Sequence, residues 1–313
     1  MKLAIVGAGA VGASVARLAG GAGHTVVALA DSTAAVVDSG GVDVEAALAA
    51  KESGDPLGSR NPEALFESDY GVLIEATPTT LGDAEPGFSH VERALSDDRH
   101  VVLANKGPVA ERYDDVRALE ADSEGEVYFE AAVGGAIPIL STIAGQGEGN
   151  VTAARGVLNG TANFILTRMA AEGLGYEHVL AEAQDLGVAE TDPTFDVEGT
   201  DQALKCVILA NVLYGGGYSL ADAEVEGIDS IPGSALDLAA EDGRTVRLIG
   251  EVSEGEVRVG PRLVPENGTL AVTGTQNIVQ LETEHAGRLN LSGRGAGGPE
   301  TASAVLADVA RLE

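Results

Sequence analysis

Short apolar runs alternate with amphipathic segments through the first 135 residues. Residues 2–7, 24–31, 71–77, 100–105 and 126–133 are apolar runs ending in polar or glycine-rich turns, which predicts strands. Helical patterns lie between most of them, for example at residues 88–95 and 110–121. Residues 31–60 are rich in loop-forming residues, with one helix near 44–53. Alternating strands and helices predict an α/β fold, a doubly wound parallel sheet of the Rossmann type.

The pattern changes after Gly134. Four helices are predicted at residues 136–145, 161–173, 176–187 and 201–215, followed by strands at 244–254, 256–264, 277–283 and 288–293. The sequence therefore predicts a first domain at residues 1–135 and a second, α+β domain at 136–298. A last helix, residues 299–313, is expected to return to the first domain.

The charge of the chain is strongly one-sided. It carries 49 acidic residues against 19 Lys plus Arg, a formal net charge of −30. Such a field of carboxylates repels nucleic acid and anionic membranes, so neither is expected as a partner. We interpret the charge as an adaptation to molar salt, where the Debye length is about 3 Å and self-repulsion is screened. An acidic protein of an ordinary cytoplasm is the alternative.

Cysteine and hydropathy patterns indicate the compartment. Cys206 is the single cysteine, so no disulfide framework can form within the chain, which suits a reducing cytoplasm. No signal peptide is recognisable at the N terminus. No stretch approaches the ~20 apolar residues that a membrane helix needs. The sequence predicts a soluble, cytoplasmic protein.

A glycine-rich turn directly follows the first predicted strand and opens a helix. It matches G-x-G-x-x-G with the residues Gly7, Ala8, Gly9, Ala10, Val11 and Gly12. The first glycine permits a tight turn, the second lets the backbone approach a pyrophosphate, and the third permits close helix–strand packing. The helix N terminus offers N–H groups to the anion. The motif predicts that the first domain binds a dinucleotide.

Other polar residues lie at the carboxyl ends of predicted strands, where ligands of such sheets bind. Asp31 ends the second strand; its carboxylate would bind a ribose 2′-hydroxyl and repel a 2′-phosphate, which favours NAD over NADP. The alternative is a turn cap before Ser32. Thr77, Asn105 and Lys106 follow two other strands and are expected to face the cofactor.

Lysine is scarce, which makes its positions informative. Of only four lysines, Lys106 follows a strand and Lys205 begins an apolar helical run. Asp201 lies four residues before Lys205, so the two share a helix face. An ordinary ion pair is the alternative, but desolvating a charged pair is costly. Glu190 and Asp201 could bind a substrate ammonium, leaving Lys205 to act as an acid near a substrate oxygen.

With these residues in place, the chain resembles homoserine dehydrogenases of the short form, which lack a C-terminal regulatory domain. The resemblance covers nearly the whole length and rests on seven motifs: GAGAVG (7–12), DAEPGFSH (83–90), ANKGP (104–108), EAAVGGAIPIL (130–140), GVLNGTANFIL (156–166), AETDPTFDVEGTDQALK (189–205) and GRGAGGPETASAVLADV (293–309). It implies reversible NAD(P)-dependent reduction of L-aspartate 4-semialdehyde to L-homoserine, in threonine and methionine biosynthesis.

The resemblance also implies roles for individual residues. Lys205 would be the general acid/base, with Lys106 assisting beside the nicotinamide. The substrate would be held by Glu190, Asp201, Gly160, Thr161 and Gly187, while Thr77 and Gly297 match cofactor-contacting positions. A monovalent cation would bind, largely through backbone carbonyls, at Glu130, Val133, Gly135 and Ile137.

Assembly and two other functions stay open at this point. A homodimer is expected, because the strands after Arg244 offer an edge for pairing. One alternative function is an amino-acid dehydrogenase with a similar two-domain plan, such as an aspartate dehydrogenase. The other is a non-catalytic dinucleotide-sensing protein. The presence of Lys106 and Lys205 makes this second alternative less favoured.

Overall fold

The computed structural model describes residues 1–147 and 149–312. The chain forms two compact units. Unit 1 comprises Met1–Ala136 and Ala296–Glu313, and unit 2 comprises Ile137–Gly295.

Unit 1 contains six strands and seven helices of the described residues. They are β1 (Lys2–Val6), α1 (Ala10–Ala19), β2 (Thr25–Ala30), β3 (Ala35–Val37), α2 (Val44–Glu52), β4 (Val72–Glu75), α3 (Gly87–Ser96), β5 (His100–Leu103), α4 (Gly107–Glu111), α5 (Tyr113–Ala121), β6 (Val127–Tyr128), α6 (Glu130–Val133) and α13 (Gly298–Arg311). The strand order is β3-β2-β1-β4-β5-β6.

Parallel pairing brings the ends of the central strands of unit 1 to one edge. Strands β2, β1, β4, β5 and β6 are parallel, so the doubly wound sheet is confirmed. In register, Val6 of β1 pairs with Glu75 of β4, which pairs with Leu103 of β5. The residues after these three strands therefore emerge side by side, where a ligand of such a fold binds.

One core cluster of unit 1 lies between its sheet and the helix pair α1 and α13. Leu3, Ile5 and Ile74 on the sheet and Val15 and Val305 on the helices are fully buried. A Cβ atom at Gly298 would lie 2.8 Å from the Ala10 carbonyl oxygen, so α13 begins against the first turn of α1. Glycine at this position allows the two helices to approach closely.

Unit 2 is a six-stranded sheet with helices on one face. Its elements are α7 (Ile139–Gln146), β7 (Val151–Val157), α8 (Gly160–Glu172), α9 (Tyr176–Asp185), α10 (Thr194–Val197), α11 (Thr200–Tyr214), β8 (Ala223–Val225), α12 (Gly233–Glu241), β9 (Arg244–Ser253), β10 (Glu256–Pro265), β11 (Gln276–Thr283) and β12 (Arg288–Arg294). The strand order is β12-β11-β7-β9-β10-β8. Helices α8, α11 and α12 pack on β9, and α11 is buried along most of its length.

Three predictions of secondary structure were wrong in detail. Residues 126–133 are not one strand, because β6 ends at Tyr128 and Glu130 opens the one-turn helix α6. The first sheet is not wholly parallel, since β3 pairs antiparallel with β2 at its edge. In unit 2 the strand β7, which the sequence did not predict, lies between β9 and β11.

No helix within residues 1–147 and 149–312 combines the length and the apolar character needed to cross a bilayer.

Candidate functional site

Each glycine of the phosphate-binding motif has a distinct environment. Gly7 has a φ of +101°, and a Cβ atom there would lie 2.4 Å from the Ala76 carbonyl oxygen. A Cβ atom at Gly12 would lie 1.8 Å from the Gly7 carbonyl oxygen. At Gly9, by contrast, no atom of the described residues lies within 4 Å of a Cβ position. The space in front of Gly9 is thus open, as the approach of a pyrophosphate requires.

The N terminus of α1 suits an anion. Gly9 is the N-cap residue, and no side chain of the described residues caps this helix end. The first-turn N–H groups of Ala10, Val11 and Gly12 and the helix dipole are therefore available to phosphate oxygens. Gly297 has a φ of +120° and is the N-cap of α13, which begins beside Ala10. The residues present fit a dinucleotide.

Asp31 forms a local cap and an ion pair. Its Oδ1 accepts hydrogen bonds from the Thr33 backbone N–H at 2.8 Å and the Ala34 N–H at 3.0 Å, and Oδ2 pairs with Lys51. Burial alone would raise the pKa of the Asp31 carboxyl, but the Lys51 ammonium and the Thr33 and Ala34 donors lower it below its usual range. The turn cap, the alternative that the sequence left open, is present, and Lys51 offsets the charge expected to select NAD.

A chain of hydrogen bonds joins the ends of β4 and β5. The Thr77 hydroxyl donates to the buried Glu75 carboxylate and accepts from Asn105 Nδ2 at 3.2 Å. Asn105 Oδ1 accepts the Gly107 N–H at 2.9 Å, and the Lys106 N–H donates to the Thr79 hydroxyl at 3.3 Å. The predicted residues Thr77, Asn105 and Lys106 thus lie together, with Lys106 at the N-cap of α4.

The Lys205 ammonium is held inside unit 2. Its Nζ donates to Asp201 Oδ2 and to the Leu158 carbonyl oxygen, both at 2.7 Å. The side chains of Lys205 and Asp201 are only 7% and 11% exposed. These two bonds, in the part of the chain that the structure describes, use two of the three N–H groups of the ammonium. These bonds leave the third N–H of the ammonium unused among the described residues.

Asn159 and Asp196 extend this cluster, and neither was singled out from the sequence. Asn159 Nδ2 donates to Asp201 Oδ2 at 2.9 Å and to Asp196 Oδ1 at 2.6 Å, while its Oδ1 caps α8 through the Ala162 N–H. Burial, reinforced by the neighbouring charge of Asp201, raises the pKa of the Asp196 carboxyl. The hint in the sequence was Asn159, an N-cap residue by type, two residues before a predicted helix.

The other predicted substrate residues lie around the start of α8. Gly160 and Thr161 form its first turn, and the Thr161 hydroxyl donates to the Val188 carbonyl oxygen at 3.1 Å. This bond ties the helix to the loop that contains Gly187, whose φ is +69°. Glu190 is exposed in the same loop, and its backbone carbonyl accepts Gln184 Nε2 at 3.1 Å.

Of the residues expected at a cation site, three belong to unit 1 and the fourth to unit 2. Glu130 and Val133 are buried in α6, Gly135 follows with a φ of +54°, and Ile137 begins unit 2. The Glu130 N–H donates to Asp308 Oδ2 at 2.8 Å. Within the described residues, no group of three or more His, Cys, Asp or Glu side chains could hold a metal.

The chain is similar to known proteins over its whole length. The sequence model of the homoserine dehydrogenase family matches residues 138–310. A homoserine dehydrogenase of Methanocaldococcus jannaschii is 40% identical over 332 aligned positions, which cover 100% of this chain and 98% of that protein. The chain belongs to the homoserine dehydrogenase family. It spans 58–59% of the length of several bacterial homoserine dehydrogenases.

Solved structures of homoserine dehydrogenases share the fold. A putative homoserine dehydrogenase from Archaeoglobus fulgidus has a TM-score of 0.92 at 39% identity, covering 100% of this chain and 99% of that one. A hyperthermophilic archaeal homoserine dehydrogenase in complex with NADPH has a TM-score of 0.84 at 28% identity, covering 99% and 96%. Residues 1–68 also match the model of the Glutamate/Leucine/Phenylalanine/Valine dehydrogenase family.

Membership of the homoserine dehydrogenase family decides between the functions that the sequence left open. Homoserine dehydrogenases are NAD(P)-dependent oxidoreductases acting on a small molecule. The similarity favours neither an aspartate dehydrogenase nor a non-catalytic dinucleotide sensor. The activity predicted from the resemblance is confirmed at the level of the family.

Proposed function

We propose that the chain interconverts L-aspartate 4-semialdehyde and L-homoserine, with Lys205 as the acid/base at the substrate oxygen. The observation that carries this proposal is the Lys205 ammonium, which is buried and fixed by Asp201 and the Leu158 carbonyl. An isolated buried ammonium is costly, but here two bonds hold it in one orientation. The remaining N–H is then oriented for a substrate oxygen.

Lys205 handles the proton of the reaction. The nicotinamide cofactor, when bound, supplies or removes the hydride at the substrate carbon. In the reduction, Lys205 donates a proton to the oxygen that develops negative charge, and in the oxidation it accepts the hydroxyl proton. Asp201 holds Lys205 in place throughout, since its Oδ2 accepts from Nζ.

We assign binding of the substrate ammonium to Glu190 and Asp201, with Gly160, Thr161 and Gly187 lining the site. Support comes from the acidic character of the cluster and from the Thr161–Val188 bond, which joins α8 to the loop of Gly187 and Glu190. Asn159 lies between Asp196 and Asp201 and bonds both carboxylates. It keeps the two acidic side chains apart and oriented.

Cofactor binding is assigned to unit 1. Residues 7–12 would hold the pyrophosphate, and Asp31, Thr77, Asn105, Lys106 and Gly297 would contact other parts of NAD or NADP. The open space at Gly9 and the uncapped N terminus of α1 support this assignment. Lys106 would assist beside the nicotinamide as a second catalytic lysine. Asp31 favours NAD, and its pairing with Lys51 weakens that preference.

Three further properties belong to the proposal. A monovalent cation would bind at Glu130, Val133, Gly135 and Ile137, so the rates of homoserine oxidation in potassium and in a bulky organic cation should differ.

A homodimer would form through unit 2, where β12 is an edge strand of the sheet. Light scattering after size-exclusion chromatography tests this oligomeric state. A cytoplasmic location would suit the buried, unpaired Cys206.

Initial-rate measurements test the proposed activity. Purified enzyme in about 2 M KCl should oxidise L-homoserine with NAD or NADP and should not oxidise L-aspartate. Activity on aspartate with none on homoserine would overturn the substrate assignment. Lys205→Ala should lower kcat by roughly 10²–10⁴-fold, the usual contribution of a general acid/base.

A further inference from the structure

Asn277, the second residue of β11, is a buried amide that is only half satisfied. Its side chain is 1% exposed, and its Nδ2 donates to the Leu158 carbonyl oxygen at 2.9 Å. Its Oδ1 is buried and has no hydrogen-bond partner among the residues that the structure describes. Burying such an oxygen without a partner destabilises the fold. Leucine has the same branched shape and no polar side-chain atoms, so the unpartnered oxygen is not explained by stability.

The Leu158 carbonyl oxygen is the atom that also accepts Lys205 Nζ, at 2.7 Å. A carbonyl oxygen has two lone pairs, and Asn277 and Lys205 can each use one. The other side of the same residue is held by Gln202, whose Oε1 accepts the Leu158 N–H at 3.0 Å and the Asn159 N–H at 3.1 Å. Two buried amides therefore fix the peptide to which the ammonium is anchored.

Gly295 provides the space that Asn277 occupies. A Cβ atom at position 295 would lie 1.8 Å from Asn277 Nδ2. Any side chain at 295 would push the amide away from Leu158. The hydrogen bond from Asn277 Nδ2 to Leu158 thus depends both on Asn277 and on Gly295, which lies 18 positions later in the sequence.

We propose that Asn277 is a positioning residue for the homoserine dehydrogenase reaction, acting on Lys205 through the Leu158 carbonyl. The proposal rests on the proposed role of Lys205. Asn277 carries no charge; its bond restricts the direction of the Leu158 carbonyl dipole and so the orientation of the third Lys205 N–H. Because misplacement of a reacting group by about 1 Å can cost 10²-fold in rate, partial loss of this restraint should cost about tenfold.

The test is Asn277→Leu, with kcat and stability measured on the same preparation. We expect kcat for homoserine oxidation to fall about 5- to 30-fold with the dissociation constant of NADH unchanged. The midpoint of urea unfolding should fall less than in an Asn211→Leu control, because Asn277→Leu removes one hydrogen bond together with an oxygen that has no partner among the described residues, whereas Asn211 loses two bonds. Unchanged kcat would overturn the proposal, as would a loss of stability with kcat retained, since that is the behaviour of a structural asparagine.

Asn211→Leu is the matched control. Asn211 is fully buried in the same unit, and both of its amide atoms are bonded to the Tyr218 backbone, at 2.9 and 3.0 Å. This variant should lose stability and keep its kcat, the opposite pattern. Gly295→Ala, which keeps the amide but displaces it, should reproduce the lower kcat and serves if Asn277→Leu does not fold.

A double-mutant cycle with Lys205→Ala separates the two proposals. If Asn277 acts through Lys205, adding Asn277→Leu to Lys205→Ala should change the residual rate by less than about twofold. An equal fold-loss with and without Lys205 would overturn the positioning role. If Lys205→Ala itself keeps wild-type turnover, the proposed function of Lys205 fails, and this outcome is distinct from the others.

Discussion

Replacing Gly9 and Gly12 by alanine should have opposite effects, because their surroundings differ. At Gly12 a Cβ atom would lie 1.8 Å from the Gly7 carbonyl oxygen, whereas ordinary contacts exceed 3.4 Å. Helix α1 or the Gly7 turn would have to move by more than 1.5 Å, within a helix packed against both β1 and α13. Overpacking of this kind costs about 1–3 kcal/mol or more. Gly12→Ala should therefore unfold at clearly lower urea.

Gly9→Ala should instead leave the fold intact and weaken binding of the cofactor. Gly9 has φ −83° and ψ −164°, extended backbone that alanine adopts, and the Cβ would enter open space. Loss of glycine entropy in the unfolded chain should stabilise the protein by about 0.4–1 kcal/mol. The same methyl would project to where the pyrophosphate approaches, so the dissociation constant of NADH should rise at least about tenfold, or ~1.4 kcal/mol.

The assay is titration of NADH fluorescence alongside urea unfolding. Gly20→Ala is the control, because Gly20 has φ −61° and its Cβ position is equally open, at the other end of α1. It should show the small stabilisation without any change in NADH binding. If Gly9→Ala bound NADH within twofold of wild type, the assignment of this open space to the cofactor would be refuted.

Three other predictions follow from single contacts or from charge. Tyr70→Phe should raise the free energy of unfolding by up to about 1 kcal/mol, since the buried Tyr70 hydroxyl has no partner among the described residues and its ring is retained; a loss of stability would contradict this. Lys51→Met should increase the preference for NAD over NADP, measured as the ratio of the two kcat/KM values, because the Asp31 carboxylate loses its counter-charge. An unchanged ratio would argue against a role for Asp31 in cofactor selection. Lowering KCl from about 2 M to 0.05 M should reduce the midpoint of thermal unfolding, since screening of the −30 charge is lost; full stability in dilute buffer would count against salt adaptation.

The sequence predicted those secondary-structure elements that are determined by the local pattern of residues. The glycine-rich turn, the parallel strands around it and α11 follow from hydrophobic period and glycine spacing, and all are present. Strand β7 reads VTAARGV, with little alternation, and exists because β9 and β11 pair with it on both sides. Helix α6 interrupts a stretch that looked like one strand, because Phe129 leaves the extended conformation.

Side-chain type and helical spacing predicted only part of the candidate site. Asp201 and Lys205 share a helix face, as their spacing predicts, and they pair with each other there. The Leu158 carbonyl that holds the same ammonium carries no residue-type signal, and Asn277 reaches it from a strand more than 100 residues later. Lys51 lies 20 residues after Asp31 in the sequence, and its pairing with Asp31 becomes visible only in the folded unit.

The central claim is that Lys205 transfers the proton at the substrate oxygen, and the turnover of Lys205→Ala and Lys205→Arg measures this most directly. Homoserine oxidation should fall by roughly 10²–10⁴-fold in the alanine variant, with only partial recovery in the arginine variant, whose guanidinium does not readily release a proton. NADH affinity should stay unchanged in both. Turnover near the wild-type value in Lys205→Ala would contradict the account.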